Sequence, residues 1–138
     1  MQKRPVRTSL LLALMLAGTA SLSACGGSSG TAGQTLDAPA FAELVDEPDV
    51  VVLDVRTPEE FASGHIPDAV NIDVSAPDFA SRVGALDTDA SYAVYCRTGN
   101  RSATAMQIMQ DAGFGSVAHL GGGIVAWVEA GGELAAGS

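Results

Sequence analysis

Residues 91–120 read SYAVYCRTGNRSATAMQIMQDAGFGSVAHL. Tyr92 to Tyr95 is an apolar run that ends at Cys96, the pattern of a strand covered on both faces. Ala105, Ile108, Met109 and Ala112 follow at i, i+3, i+4 and i+7, one face of a helix, and Gly113 stops it. Val117 to Leu120 then begins another strand. Strand, tight turn, helix and strand at this spacing make the repeating unit of a parallel sheet.

The pattern extends in both directions. Upstream, Asp37 caps a helix with Pro39 in its first turn and Phe41, Leu44 and Val45 on its apolar face, and Pro48 closes it. Val50 to Val55 is apolar except for Asp54, again a buried strand. Thr57-Pro58-Glu59-Glu60 starts a short helix with a capping hydroxyl and a glutamate three residues on. Gly64 and Pro67 bracket a loop before a short strand over Ala69–Ile72, and a further short helix fits between Pro77 and Val83. Downstream, Ile124 to Ala130 reads as the last helix, with Trp127 in the core. The sequence predicts one α/β domain over residues 36–138, a parallel sheet flanked by helices.

Residues 1–24 differ in kind. Lys3, Arg4 and Arg7 precede an apolar stretch from Leu10 to Ala17, the plan of an export signal. That stretch is about half of the ~20 residues that cross a bilayer as a helix. Leu22-Ser23-Ala24-Cys25 resembles the bacterial lipobox, whose cysteine is diacylated and becomes the mature N-terminus. Residues 25–35 then read as the lipidated Cys25 and a flexible Gly/Ser-rich tether. The expected location is the cell membrane or periplasm of a bacterium, outside the cytoplasm. Behind the leader, four arginines (Arg56, Arg82, Arg97, Arg101) face 16 acidic residues. A body so acidic is repelled by nucleic acid and by anionic headgroups. Two scattered histidines and one available cysteine do not make a metal site.

The chemistry lies in the turn from Cys96 to Ser102. Ligands of open parallel sheets bind beyond the carboxyl ends of the strands, where Cys96 falls. Gly99 permits a tight turn with inward N–H groups, an anion-holding nest. A helix starting near Ser102 adds the positive end of its dipole, and Arg97 and Arg101 add two charges. These features favour thiolate, placing Cys96 below the ~8.5 of a free thiol. The alternative, a structural core thiol, gains nothing from two neighbouring guanidinium groups.

Four blocks carry a resemblance. They are Asp54-Val55-Arg56-Thr57-Pro58-Glu59-Glu60-Phe61, Gly64-His65-Ile66-Pro67-Asp68-Ala69-Val70-Asn71-Ile72, Cys96 to Ser102, and Leu120-Gly121-Gly122-Gly123-Ile124 with Trp127. Together, and in this order, they resemble rhodanese domains; Asp68 departs from the glycine usual there. The resemblance implies a double-displacement sulfurtransferase working as a monomer without a cofactor. Cys96 would carry sulfur as a persulfide between a small anionic donor such as thiosulfate and a thiol or cyanide acceptor. Arg97, Thr98, Gly99, Asn100, Arg101 and Ser102 would cradle it, with the two arginines attracting the donor. Asp54 and Arg56 would form a buried structural pair and His65 would fix its loop by hydrogen bonding. His119 has no assignable role.

Three other functions use the same residues. Cysteine-dependent phosphatases resemble one another in placing one residue more between cysteine and arginine than the four here, Arg97 to Asn100. A non-catalytic persulfide carrier or sensor would keep the same Cys96. A thiol–disulfide oxidoreductase lacks a resolving cysteine once Cys25 is lipidated.

Overall fold

Side chains on a strand alternate between the two faces of a sheet, and here both faces are apolar. Leu53, Val55, Tyr92, Val94, Cys96 and Val117 point one way, into a cluster with Ile72, Phe79, Val83, Ala105, Met109 and Phe114. Val52, Ala93, Tyr95 and Leu120 point the other way and meet Ala38, Phe41, Ile66, Ile124 and Trp127. A sheet with two apolar faces must be covered on both, which explains the near-continuous apolar strands.

The computed structural model describes residues 33–137. Its elements in chain order are β1 (Gln34–Leu36), α1 (Ala38–Val45), β2 (Val50–Asp54), α2 (Pro58–Ser63), β3 (Val70–Asn71), α3 (Phe79–Gly84), β4 (Ser91–Tyr95), α4 (Asn100–Asp111), β5 (Ser116–Leu120) and α5 (Gly123–Glu129). The five strands form a parallel sheet in the order β1-β5-β4-β2-β3. The chain thus runs outward from β2 to β3, then returns to the other side of β2 with β4 and β5. The crevice at this reversal, beyond the carboxyl ends of β2 and β4, is where such sheets bind ligands.

The α/β reading with a parallel sheet holds; several element ends shift by a residue or two, and two of the differences bear on the site. Gln34 and Thr35, read from sequence as the end of the tether, form β1 with Leu36 and pair in parallel with Ala118 to Leu120 of β5. Three residues with two polar side chains carry no periodicity, so only a partner distant in sequence defines this strand. Helix α4 starts at Asn100 rather than near Ser102, with Gly99 as its N-cap at φ 105°. Residues 1–24, Cys25 and the tether up to Ala32 lie outside the described residues.

Local chemistry sets the other ends. Asp37 accepts from the Ala40 amide at 3.0 Å to cap α1, and Thr57 with Glu60 closes a capping box on α2. Phe41, fully buried, meets Tyr95 and Trp127 edge to face at 6.4 and 6.3 Å. Trp127 lies in the core, its indole N–H donating to the Glu133 carbonyl at 2.9 Å.

Asp68 is the one non-glycine residue at positive φ (62°) among the described residues. It sits third in a turn closed by the Ala69 amide on the Ile66 carbonyl at 3.1 Å, after Pro67. Proline second and positive φ third is the type II pattern, which favours glycine at the third position. Asp68→Gly should therefore stabilise the domain by about 0.5–1 kcal/mol, the relieved left-handed strain less the added freedom of the unfolded chain. Urea unfolding at neutral pH measures it; a lower midpoint for the variant would show that the aspartate side chain supports the turn.

Candidate functional site

Cys96 is the first residue beyond β4, and the alternation that buries Tyr92 and Val94 also turns its side chain toward α4. The residue is 1% exposed. Its own carbonyl accepts from the Ile124 amide at 2.8 Å, and the Arg97 carbonyl from the Val125 amide at 3.3 Å. The first turn of α5 thus draws the loop carbonyls away from the sulfur, leaving the amides to face it. The Gly99 N–H donates to Cys96 Sγ at 3.0 Å. Two glycines allow this closeness. A Cβ on Gly99 would overlap the Gly121 carbonyl, and one on Gly123 would overlap the Arg97 carbonyl. The Cys96–Ser102 turn and the Gly121–Gly123 turn are therefore interlocked backbone to backbone.

Burial pushes the Cys96 thiol up, but the Ser102 hydroxyl and the amides of Ser102, Gly99 and Thr98 outweigh it and leave the thiol below its ordinary value. This changes the electrostatic account read from the sequence. Arg101 does not present a free charge: its guanidinium forks onto Glu60 of α2 at 2.7 and 2.8 Å. Arg97 is exposed, as are Thr98 and Asn100. The converging donors at the sulfur are backbone amides and one hydroxyl.

Glu60 links two elements. Its Oε2 accepts from the Thr57 amide at 3.1 Å, completing the cap of α2, and also from Arg101. The hydrogen bond from Arg101, opposed by partial burial and aided by the Thr57 amide, holds the Glu60 carboxyl at about 2. The same ion pair raises Arg101.

Beneath the loop, at the end of β2, Asp54 and Arg56 are buried, 0% and 4% exposed. The Arg56 guanidinium donates to both Asp54 oxygens, at 2.6 to 3.0 Å, and to the Gly64 carbonyl at 2.7 Å. Burial presses Arg56 down, yet its bonds to Asp54 raise it on balance. Tyr95 completes the group, donating to Asp54 at 2.7 Å and accepting from the Ile66 amide at 3.0 Å. Burial and then Asp54 push its phenol up, so it stays a donor. His65 stacks on Phe61 at 3.8 Å, and its Nδ1 lies 3.0 Å from the Phe61 carbonyl. Its backbone exchanges hydrogen bonds with Ala135. These residues hold the loops beside the thiol.

Sequence reasoning passed over two residues here. Tyr95 looked like one more apolar strand residue, though a buried phenol always needs a partner. His119 is 5% exposed, with Nδ1 3.0 Å from Ser102 Oγ and Nε2 3.0 Å from Thr35 Oγ1. Its signal was a polar residue inside the apolar run Val117–Leu120.

Comparison with known proteins agrees with the fold. The sequence profile of the rhodanese-like domain matches residues 37–130. Over 88 residues the chain is 39% identical to a sulfurtransferase of Allochromatium vinosum, covering 64% of this chain and 80% of that protein. It is 37% identical over 90 residues to the thiosulfate sulfurtransferase GlpE of Pseudomonas syringae pv. syringae, covering 64% and 82%. A solved structure of a rhodanese-related protein from Thermoplasma volcanium superposes with a TM-score of 0.65 at 33% identity, covering 74% of this chain and 97% of that one.

The Glu60–Arg101 pair sets an acid limit. A carboxyl lowered from 4.5 to about 2 contributes stability that is fully present above 4.5 and lost as pH falls through 2. Because the pair is partly exposed, Glu60→Gln should cost only about 1 kcal/mol at pH 7. The difference from the parent should vanish near pH 2. Urea midpoints at both pH values measure this; an equal gap at both would assign the loss to the helix cap rather than the charge.

Proposed function

The chain belongs to the rhodanese-like domain family, and on that premise we propose that it is a sulfurtransferase taking sulfane sulfur from thiosulfate. The observation that supports this most is the seat of Cys96: a buried sulfur ringed by inward amides, with its thiol lowered.

A thiolate there attacks the outer sulfur of thiosulfate. One S–S bond forms, the sulfur–sulfur bond of the donor breaks, and sulfite leaves with the electron pair. The product is a Cys96 persulfide bearing one negative charge, which the amides that held the thiolate can receive. An acceptor thiolate or cyanide then attacks the outer persulfide sulfur, and Cys96 returns as thiolate. No electrons or cofactor enter, because the donor carries the sulfur in its reactive state. Exposed Arg97 is free to draw an anionic donor to the mouth of the loop. Arg101, closed onto Glu60, is poorly placed to clamp a tetrahedral phosphate, which weighs against phosphatase chemistry.

We also propose that the domain works outside the cytoplasm, held to a membrane by acyl chains on Cys25. The support is the basic and apolar leader ending in Leu22-Ser23-Ala24-Cys25. A single acyl chain binds membranes at only about 10⁴ M⁻¹, whereas two anchor stably.

Turnover of thiosulfate with cyanide, read as thiocyanate, tests the activity. The wild-type chain should show double-displacement kinetics, and Cys96→Ser should fold normally with no turnover above background. Thiocyanate formation by Cys96→Ser near the wild-type rate would remove Cys96 from the mechanism. In cell fractions, Cys25→Ser should move from membrane to soluble material with its turnover number unchanged. A wild-type protein already soluble and unacylated would end the anchoring proposal.

A further inference from the structure

We propose that His119, held by Thr35, is a positioning residue for Cys96: it orients the Ser102 hydroxyl so that the hydroxyl proton points at the sulfur. The sheet register builds this chain of contacts. Thr35 of β1 lies opposite His119 of β5, and His119 opposite Val94 of β4. Alternation turns His119 to the same face as Val117, Val94 and Cys96, where α4 brings Ser102. The hydroxyl is fully buried, and all its candidate partners lie within the fold.

Ser102 has one hydroxyl proton and three claimants. They are the Gly99 carbonyl at 3.1 Å, His119 Nδ1 at 3.0 Å, and the Cys96 sulfur that this hydroxyl stabilises. The Gly99 carbonyl already accepts from the Ala103 amide at 3.0 Å. That carbonyl has a second lone pair for the serine proton, but an ionised sulfur is the stronger acceptor, so the competitor whose role can change is the imidazole. Burial holds His119 below its ordinary value, so the ring is neutral near pH 7 with one donor and one acceptor nitrogen. With the proton on Nε2, Nδ1 takes the serine proton away from the sulfur. With the proton on Nδ1, the ring donates to Ser102 Oγ, the Thr35 hydroxyl donates to Nε2, and the serine proton is released to the sulfur. A thiolate or persulfide selects the second arrangement, because a hydrogen bond to an ion is the stronger one. The groups facing the ring, Thr35 on β1, Val94 on β4 and Ser102 on α4, carry no charge. The charge coupled to the sulfur is Arg101, paired with Glu60 and acted on by Asp73; Arg97 flanks the sulfur in sequence.

The inference rests on Cys96 acting as an ionised thiol. Its test uses no sulfur donor, so it can fail or stand independently of sulfur transfer. The probe is the pH dependence of alkylation by neutral iodoacetamide, on the full chain with Cys25→Ser, which leaves Cys96 as its one thiol. Loss of one hydrogen bond to the sulfur corresponds to a midpoint rise of about 0.5–1 pH unit. His119→Phe and Ser102→Ala should each show that rise, and the double variant should show no more than Ser102→Ala alone. His119→Asn, whose amide places an N–H near the position of Nδ1, should restore most of the wild-type midpoint. Thr35→Val, at an exposed edge that leaves the core intact, should raise the midpoint in the same direction. An unchanged midpoint in His119→Phe or in Thr35→Val, a double variant shifted beyond Ser102→Ala alone, or a His119→Asn midpoint as high as that of His119→Phe would overturn the proposal and leave His119 a packing residue.

Discussion

The hydrogen bond from the Ile124 amide to the Cys96 carbonyl, at 2.8 Å, decides which way the Cys96–Ser102 turn faces. A loop of this length carries as many carbonyls as amides, and a sulfur at its centre meets whichever set points inward. By engaging the Cys96 and Arg97 carbonyls, the first turn of α5 settles that choice in favour of the amides. The price is closeness: Gly99 against Gly121, and Gly123 against Arg97, leave no room for a Cβ. The glycines of two distant sequence blocks are thus one structural requirement, namely that two turns touch backbone to backbone.

The rest of the structure supplies rigidity to that contact. Asp54, Arg56 and Tyr95 tie the ends of β2 and β4 to the Gly64–Ile66 loop, and among the described residues no buried side-chain polar atom is left without a partner. Such a buried ion pair contributes little net stability, since desolvation offsets its attraction. Its value lies in position: it admits one arrangement of three chain segments around the crevice. The Glu60–Arg101 pair does the same between α2 and α4 at the surface. Charge in this site is mainly spent on holding loops, while dipoles do the work at the sulfur.

The sequence made the sheet and the thiol turn legible because their signals are local. Apolar runs at Val50–Val55 and Tyr92–Tyr95, the capping pattern at Thr57–Glu60 and the helical face from Ala105 to Ala112 each declare themselves within a few residues. What it left unread depends on partners far along the chain. Strand β1 exists through pairing with β5, and His119 acquires partners only when β1 and α4 converge on it, 84 and 17 residues away. Arg101 looked like a free cation because Glu60, 41 residues earlier, had already been used to explain a helix cap. That carboxylate serves both.

The account comes down to whether the amide-lined seat of Cys96 stores a sulfur atom. Intact mass spectrometry of the full chain carrying Cys25→Ser, after thiosulfate and removal of excess donor without reductant, reads this directly. The expected result is the mass of one added sulfur on Cys96, absent from the additional Cys96→Ser variant and discharged by cyanide with stoichiometric thiocyanate. An unmodified Cys96, or the same added mass on the Cys96→Ser variant, would contradict the account at its centre.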